Sequence, residues 1–183
     1  MSHPHPLEKL VEVITYKGVN FEVVERSDVV WVGCVGYAGN NTDEPNIDVT
    51  LKRYREELIN VEKLERVNPD WSATLSINYA NNNEPSGIMF AQETYSDKQD
   101  ERYNLLTQPK GLWLRVSVTA EVDNLLFGRN NQGGWEYFGI LSEAAKENGY
   151  EQNSKVDIGI EYHCHAQYNT PPHTNFNYIP IYR

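Results

Sequence analysis

Val156-Asp157-Ile158-Gly159-Ile160-Glu161-Tyr162-His163-Cys164 is the stretch on which the arrangement of the chain turns. Read as a β-strand, it puts Val156, Ile158, Ile160, Tyr162 and Cys164 on one face of the pleat. Asp157, Gly159, Glu161 and His163 take the other. The apolar face suits a sheet seated on a helix. The second face sets a carboxylate beside a residue with no side chain and so leaves room next to it. Glu161 is therefore expected to point away from the helix layer. Whether that room is solvent or a pocket decides the function.

Working outward, the segment upstream is a helix over 135–148, with Phe138, Ile140, Leu141 and Ala145 as its apolar stripe and Gly149 as its stop. It follows a long loop through Gly128–Gly134. Before that, Gly111–Thr119 alternates: Leu112, Leu114, Val116 and Val118 share one face, and Trp113, Arg115, Ser117 and Thr119 the other. Downstream, a loop with Pro171 and Pro172 leads to a last strand over 175–182.

The first half has the same order. Phe21–Glu25 and Val29–Tyr37 are strand-like, with a kink at Arg26-Ser27-Asp28. A polar loop, Gly39–Pro45, precedes a helix that Asn46 or Asp48 can cap, striped by Val49, Leu51, Tyr54, Leu58, Val61 and Leu64. Trp71–Ala80 alternates as a half-buried strand, and Ile88–Tyr95 follows across a turn-rich link. Residues 1–15 read as an arm with a helical turn over Leu7–Val13. The expectation is α+β: one domain over 1–183, with a strand–helix–strand–strand module at about 19–96 and a second at about 110–183. The modules are related by a pseudo-two-fold axis in a mostly antiparallel sheet. Helices cover one face and a central ligand cleft lies on the other.

Composition narrows the function. At 183 residues with 39% hydrophobic and 23% charged residues, the chain suits one globular domain. A net charge of -10 argues against nucleic-acid binding and against docking on an anionic membrane. No apolar run is long enough to span a bilayer. Met1–Leu7 lacks the basic and apolar regions of a signal peptide, so a cytoplasmic location with free thiols at Cys34 and Cys164 is expected. Twelve Tyr, 4 Trp and 5 Phe are an aromatic supply suited to ligand walls. His163 and His165 point the same way on a strand, but no further ligand cluster accompanies them, so neither metal nor cofactor is expected.

The strand Gly111–Val118, the helix end Glu147-Asn148-Gly149-Tyr150-Glu151, the strand centre Ile160-Glu161-Tyr162 and the close Tyr178-Ile179-Pro180-Ile181 occur in an order similar to one family. So does the opening Phe21–Gly33. Over about residues 14–183 the chain resembles the GyrI-like, or bacterial-activator effector-binding, small-molecule domains. The resemblance implies two modules around a pocket in which a glutamate at the position of Glu161, ringed by aromatics, reads cationic or polarised aromatic drugs. It also implies a stand-alone member. Some such members modulate gyrase. Others are hydrolases that open the cyclopropane of DNA-alkylating natural products. The loops Asn124–Gly134 and Ala166–Asn175 look long for a minimal member and are placed to cover the pocket mouth.

Under that resemblance Glu161 is a carboxylate with a raised pKa, fit to hold a cation or to act as a general base toward water, where otherwise it reads as an exposed strand glutamate. A Tyr hydroxyl, with Tyr137 as the candidate, steadies charge on a conjugated carbonyl. Trp113, Trp135, Tyr168 and Tyr178 are candidate walls, each with core packing as the alternative. Glu93 reads as a solvated rim glutamate, or else as a second carboxylate approaching Glu161. The expected activity is hydrolytic detoxification of a cyclopropane-bearing aromatic. The alternatives are a non-catalytic drug-binding protein and a protein that acts on a partner such as gyrase.

Overall fold

The computed structural model describes residues 5–37, 46–58, 65–78, 86–130, 134–164 and 175–183, the side chains of 57, 58 and 164 aside. Within them the chain is α+β, a mostly antiparallel ten-stranded sheet with three α-helices. The strands are β1 (Glu8–Tyr16), β2 (Val19–Arg26), β3 (Val29–Tyr37), β4 (Trp71–Ile77), β5 (Gly87–Thr94), β6 (Asn104–Gln108), β7 (Gly111–Ser117), β8 (Glu151–Gln152), β9 (Ile158–Cys164) and β10 (Phe176–Tyr182). The helices are α1 (Ile47–Arg53), continued by a π-helical turn over Tyr54–Leu58, α2 (Ala120–Phe127) and α3 (Glu136–Glu147). None is long and apolar enough to cross a membrane.

Local chemistry sets these elements. Asn46 caps α1, its side chain accepting from the Val49 amide at 2.9 Å. Thr119 caps α2 in the same way, and Gly128, at φ 66°, ends it. The helical turn expected over Leu7–Val13 is instead β1, an edge strand. Lys17 and Gly18 both take positive φ (48° and 76°), which matches a two-residue hairpin turn and folds β1 back on β2. Three further elements, β6, β8 and α2, lie outside the sequence expectation. Asn124, expected in a loop, lies in α2.

The sheet runs β1-β2-β7-β10-β9-β4-β5-β3-β6, with β8 paired to β10. Only Ser27 and Asp28 separate β2 from β3, yet the two strands lie toward opposite ends of this order. So short a link forces the sheet to curl. All three helices and the π-helical turn pack on one face. There α2 and α3 cover Phe21, Val23, Leu114, Val116, Ile179 and Ile181, and Tyr54 meets Val32 and Cys34.

The curl brings the other face onto itself. Instead of the expected cleft it holds a packed core of Trp31, Leu75, Met89, Trp113, Ile160, Tyr162, Phe176 and Tyr178. Its centre is ionic. Arg26 of β2 donates to Glu93 of β5 and to Gln108 of β6, and its Nε lies 3.0 Å from a Glu8 oxygen. The guanidinium sits 5.0, 5.6 and 5.9 Å from the ring centres of Tyr178, Trp113 and Trp31. Glu93 also accepts from Tyr162 and from His5, the latter at 2.6 Å. Leu7 N–H donates to His5 Nδ1, which leaves Nε2 to carry the proton toward Glu93. Arg115 completes the chain of charges with Glu8 at 2.5 Å and Glu22 at 2.6 Å. Burial alone would raise the Glu93 pKa, but Arg26, His5 and Tyr162 hold it below the ordinary value.

Candidate functional site

The central strand β9 has its faces the opposite way round from the sequence expectation. Ile160 and Tyr162 belong to the packed ionic–aromatic core. Gly159, Glu161 and His163 face the helices. The glycine is the reason a helix fits there: a Cβ on Gly159 would lie 2.8 Å from Cζ of Phe138 on α3. The bare residue that seemed to make room beside Glu161 makes room for a helix ring.

This face is not evenly covered. The α1 segment packs on β3 and β5, and α3 packs on β10, β8 and β7. Between them lie β9 and β4, and their helix-side residues are polar. Cross-strand pairing sets Glu161 between Thr74 and Asn177, and His163 beside Ser72. Thr74 Oγ1 is 3.1 Å from His163 Nε2. Gln92 extends the row on β5, opposite Val32 of β3. Ser72, Gln92, His163 and Asn177 are all buried. A cavity of about 90 Å³ opens here, lined by Leu51, Tyr54, Arg55, Phe90, Thr74 and His163. The floor of this trough is thus polar and its α1 wall largely apolar and aromatic, a combination that suits a ligand site.

Glu161 sits where the trough meets α3. Its carboxylate accepts from the backbone of Gly134 and the side chain of Asn177. Asn177 in turn donates to the Gly134 carbonyl at 3.4 Å. Burial pushes the Glu161 pKa up to about 7; the two hydrogen bonds pull it down, and nearby Glu136 pushes it up. Glu136 is held below the usual carboxylate range by Arg129, whose Nη1 donates to it at 2.9 Å. Gly134 takes φ +127°, and a Cβ there would lie 2.6 Å from a Glu136 oxygen. The backbone that binds Glu161 therefore depends on glycine.

The other candidates separate. Trp135, adjacent to Gly134 in the chain and at the N-terminus of α3, is 74% exposed. Tyr137 is fully buried between α2 and α3, where Phe127 meets it edge-on. Its hydroxyl donates to Asp123 at 3.1 Å, and burial with Asp123 drives its pKa far up. Trp113 and Tyr178 lie on the helix-free face around Arg26. Glu93 is there too, 2% exposed, so it is neither a rim residue nor a neighbour of Glu161. Tyr168 lies outside the described residues, as do the segments 38–45 and 165–174. Among the described residues no group of three or more His, Cys, Asp or Glu is placed to hold a metal ion.

Ser72, Thr74, Gln92, His163 and Asn177 were missed as site residues. The alternation of Ser72, Thr74 and Ser76 was the available signal. It looked like a solvent face, but in a strand at the middle of a sheet a polar face flanked by helices lines a trough.

No family model matches the sequence, and no curated protein does. Solved structures do. An integron cassette protein from the mobile metagenome of Vibrio cholerae aligns at 15% identity over 88% of this chain and 94% of its own, with a TM-score of 0.44. A putative bacterial transcription regulation protein from Staphylococcus aureus aligns at 13% identity over 91% of this chain and 100% of its own, with a TM-score of 0.53. The likeness to the Staphylococcus aureus protein, at that identity, is one of fold.

Proposed function

We propose that the chain is a small-molecule-binding protein that takes a flat aromatic ligand, cationic or polarised, into the trough between α1 and α3. The observation that carries this is Glu161: a carboxylate with a pKa near 7 in the polar floor, bonded to the backbone of Gly134, whose chain neighbour Trp135 is exposed. A carboxylate desolvated to this degree gains most from a partner that restores its charge or shares its proton. An exposed indole offers a stacking face at little ordering cost. The fold shared with a putative transcription regulation protein is compatible with ligand sensing.

The two-module reading belongs to the same proposal. Supporting it, β3-β5-β4 and β7-β10-β9 have the same internal order, and β4 meets β9 antiparallel at the seam. In this arrangement α1 and α3 take equivalent places on either side of the trough.

The test is fluorescence titration of the protein with a planar aromatic cation, N-methylquinolinium. Saturable quenching that weakens about tenfold or more in Glu161→Gln supports the proposal. Absence of binding, or equal binding by the variant, overturns it.

The hydrolase reading has one observation in its favour, the same pKa near 7, which suits a general base at neutral pH. Glu161 would accept a proton from water as its oxygen joins the cyclopropane carbon, and the broken C–C bond's electron pair would pass to the conjugated carbonyl. Tyr137 does not serve in this version, because its hydroxyl is engaged by Asp123. Mass spectrometry decides: addition of one water by wild type and none by Glu161→Gln supports it, and an unchanged compound refutes it.

A further inference from the structure

Gln92 is the polar side chain that the fold leaves most conspicuously unsatisfied. It is 1% exposed, and neither its amide nitrogen nor its amide oxygen has a hydrogen-bond partner among the described residues. Its neighbours make this costly: Val32 stands opposite it, and Phe90, two residues earlier on the same face, is part of the cavity lining. An amide buried without a hydrogen-bond partner loses its hydration and recovers nothing. A methionine of nearly equal volume would fill the same place without that loss.

The position gives the amide a use. Gln92 lies on the helix-side face of β5, two strands from Glu161 and one residue pair further along the sheet. Strand spacing and rise put their Cα atoms roughly 12 Å apart. Ser72 and Thr74, on the intervening β4, and His163 on β9 continue the polar floor between them. A primary amide presents its N–H and its oxygen side by side, and so pairs with a group that offers an adjacent acceptor and donor.

We propose that Gln92 is a second recognition point of the trough, reading the lactam edge (adjacent N–H and C=O) of a planar heteroaromatic ligand whose far end lies at Glu161. This rests on the trough being the ligand site and adds to it a class of ligand. The amide oxygen accepts the lactam N–H, and the amide N–H₂ donates to the lactam carbonyl. Two parallel hydrogen bonds in a desolvated site discriminate sharply, because a ligand lacking either group leaves the amide unpaired.

The test uses three probes, each titrated against wild type and Gln92→Met: 2-quinolone, its N-methyl derivative, and N-methylquinolinium. Wild type is expected to bind 2-quinolone at least about tenfold more tightly than N-methyl-2-quinolone. Gln92→Met should reduce that ratio to within about twofold, while keeping its affinity for N-methylquinolinium. Because the variant keeps the cavity's size, a preference due only to the methyl group's bulk would survive it, and that result overturns the proposal. So does a wild type with no preference between the two quinolones. A variant with a raised melting temperature and an unchanged ratio means that Gln92 holds water only, which also overturns it. If N-methylquinolinium binds but the quinolones are not distinguished, the Gln92 proposal falls and the trough stands. If no probe binds, both fall. Should Gln92→Met not fold, Gln92→Leu carries the same comparison, and a wild type without the preference overturns the proposal whichever variant folds.

Discussion

Glu161→Gln should stabilise the protein at alkaline pH and leave it almost unchanged in mild acid. The glutamate's folded pKa is about 7 against an ordinary value of 4.5. Because it is raised, the folded state holds a proton that the unfolded chain has already released. Stability from this group is complete below the unfolded value and drains away as pH rises through about 7. The gap corresponds to roughly 3 kcal/mol. Glutamine never ionises, keeps an oxygen for the Gly134 and Asn177 donors, and so retains that stability at every pH. For a chain of this length, roughly 3 kcal/mol is a melting-temperature difference of about 6–12 °C. The assay is thermal unfolding of both proteins at about pH 8.5 and about pH 4.5, read by circular dichroism. Other titrations cancel in the difference between the two proteins. A variant that gains nothing at the higher pH, or gains equally at both, refutes the claim that Glu161 is a desolvated carboxylate. A ligand cation should act in the opposite sense, lowering the Glu161 pKa and shrinking the gap.

Other substitutions probe the parts that hold the site. Glu93→Gln strands Arg26 in the buried network and should cost about 3–5 kcal/mol near neutral pH in urea unfolding; a loss below about 1 kcal/mol would mean the network is solvated. The same glutamate, with its folded pKa depressed, should make wild type lose stability as pH falls below the ordinary carboxylate range, the reverse of the Glu161 effect. Gly134→Ala forces a Cβ against Glu136 at a φ of +127° and should cost about 1–3 kcal/mol. By displacing the Gly134 amide it should also push the Glu161 pKa higher, visible as a later carboxyl titration by NMR; an unmoved titration would separate Gly134 from Glu161. Trp135→Ala, at an exposed position, should change stability by no more than about 0.5 kcal/mol but weaken aromatic-ligand binding about tenfold. Equal affinity would remove Trp135 from the site.

Hydrophobic periodicity carried most of the secondary structure. The helix expected over 135–148 is α3 at Glu136–Glu147, and the strand expected over 175–182 is β10 at Phe176–Tyr182. Alternation over Gly111–Thr119 also separated Leu114 and Val116, which meet α3, from Trp113, which does not. It could not say which face of β9 meets the helix, because that strand is buried on both sides. Ile160 and His163 are both buried, on opposite faces, so apolar content did not mark the helix side. Gly159 does: a bare position under the Phe138 ring is close approach, not open space. The hairpin signal Lys17-Gly18 was likewise legible and would have turned the expected helical turn into β1. The Arg26–Glu93 pair was not legible, because the curl that joins residues 67 apart in the chain arises only once β2 and β3 are placed far apart in one sheet.

The two acidic residues singled out from the sequence have opposite electrostatic fates, and the contrast supports the proposed site. Glu93 is surrounded by aromatic rings, the setting expected of a drug-reading glutamate, yet the chain supplies its own cation there: Arg26 fills the aromatic box, and His5 and Tyr162 take what remains of the carboxylate. A ligand would have to displace a guanidinium already held by charge, hydrogen bonds and rings. Among the described residues no cation pairs with Glu161; only the neutral Gly134 and Asn177 donors offset its burial, and the charge beside it, Glu136, repels it. A carboxylate left in that condition gains more from an incoming donor or cation than one already neutralised. Aromatic surroundings alone would have favoured Glu93, whose charge Arg26 already meets. The unmet demand for positive charge selects Glu161, and with it the trough between the helices.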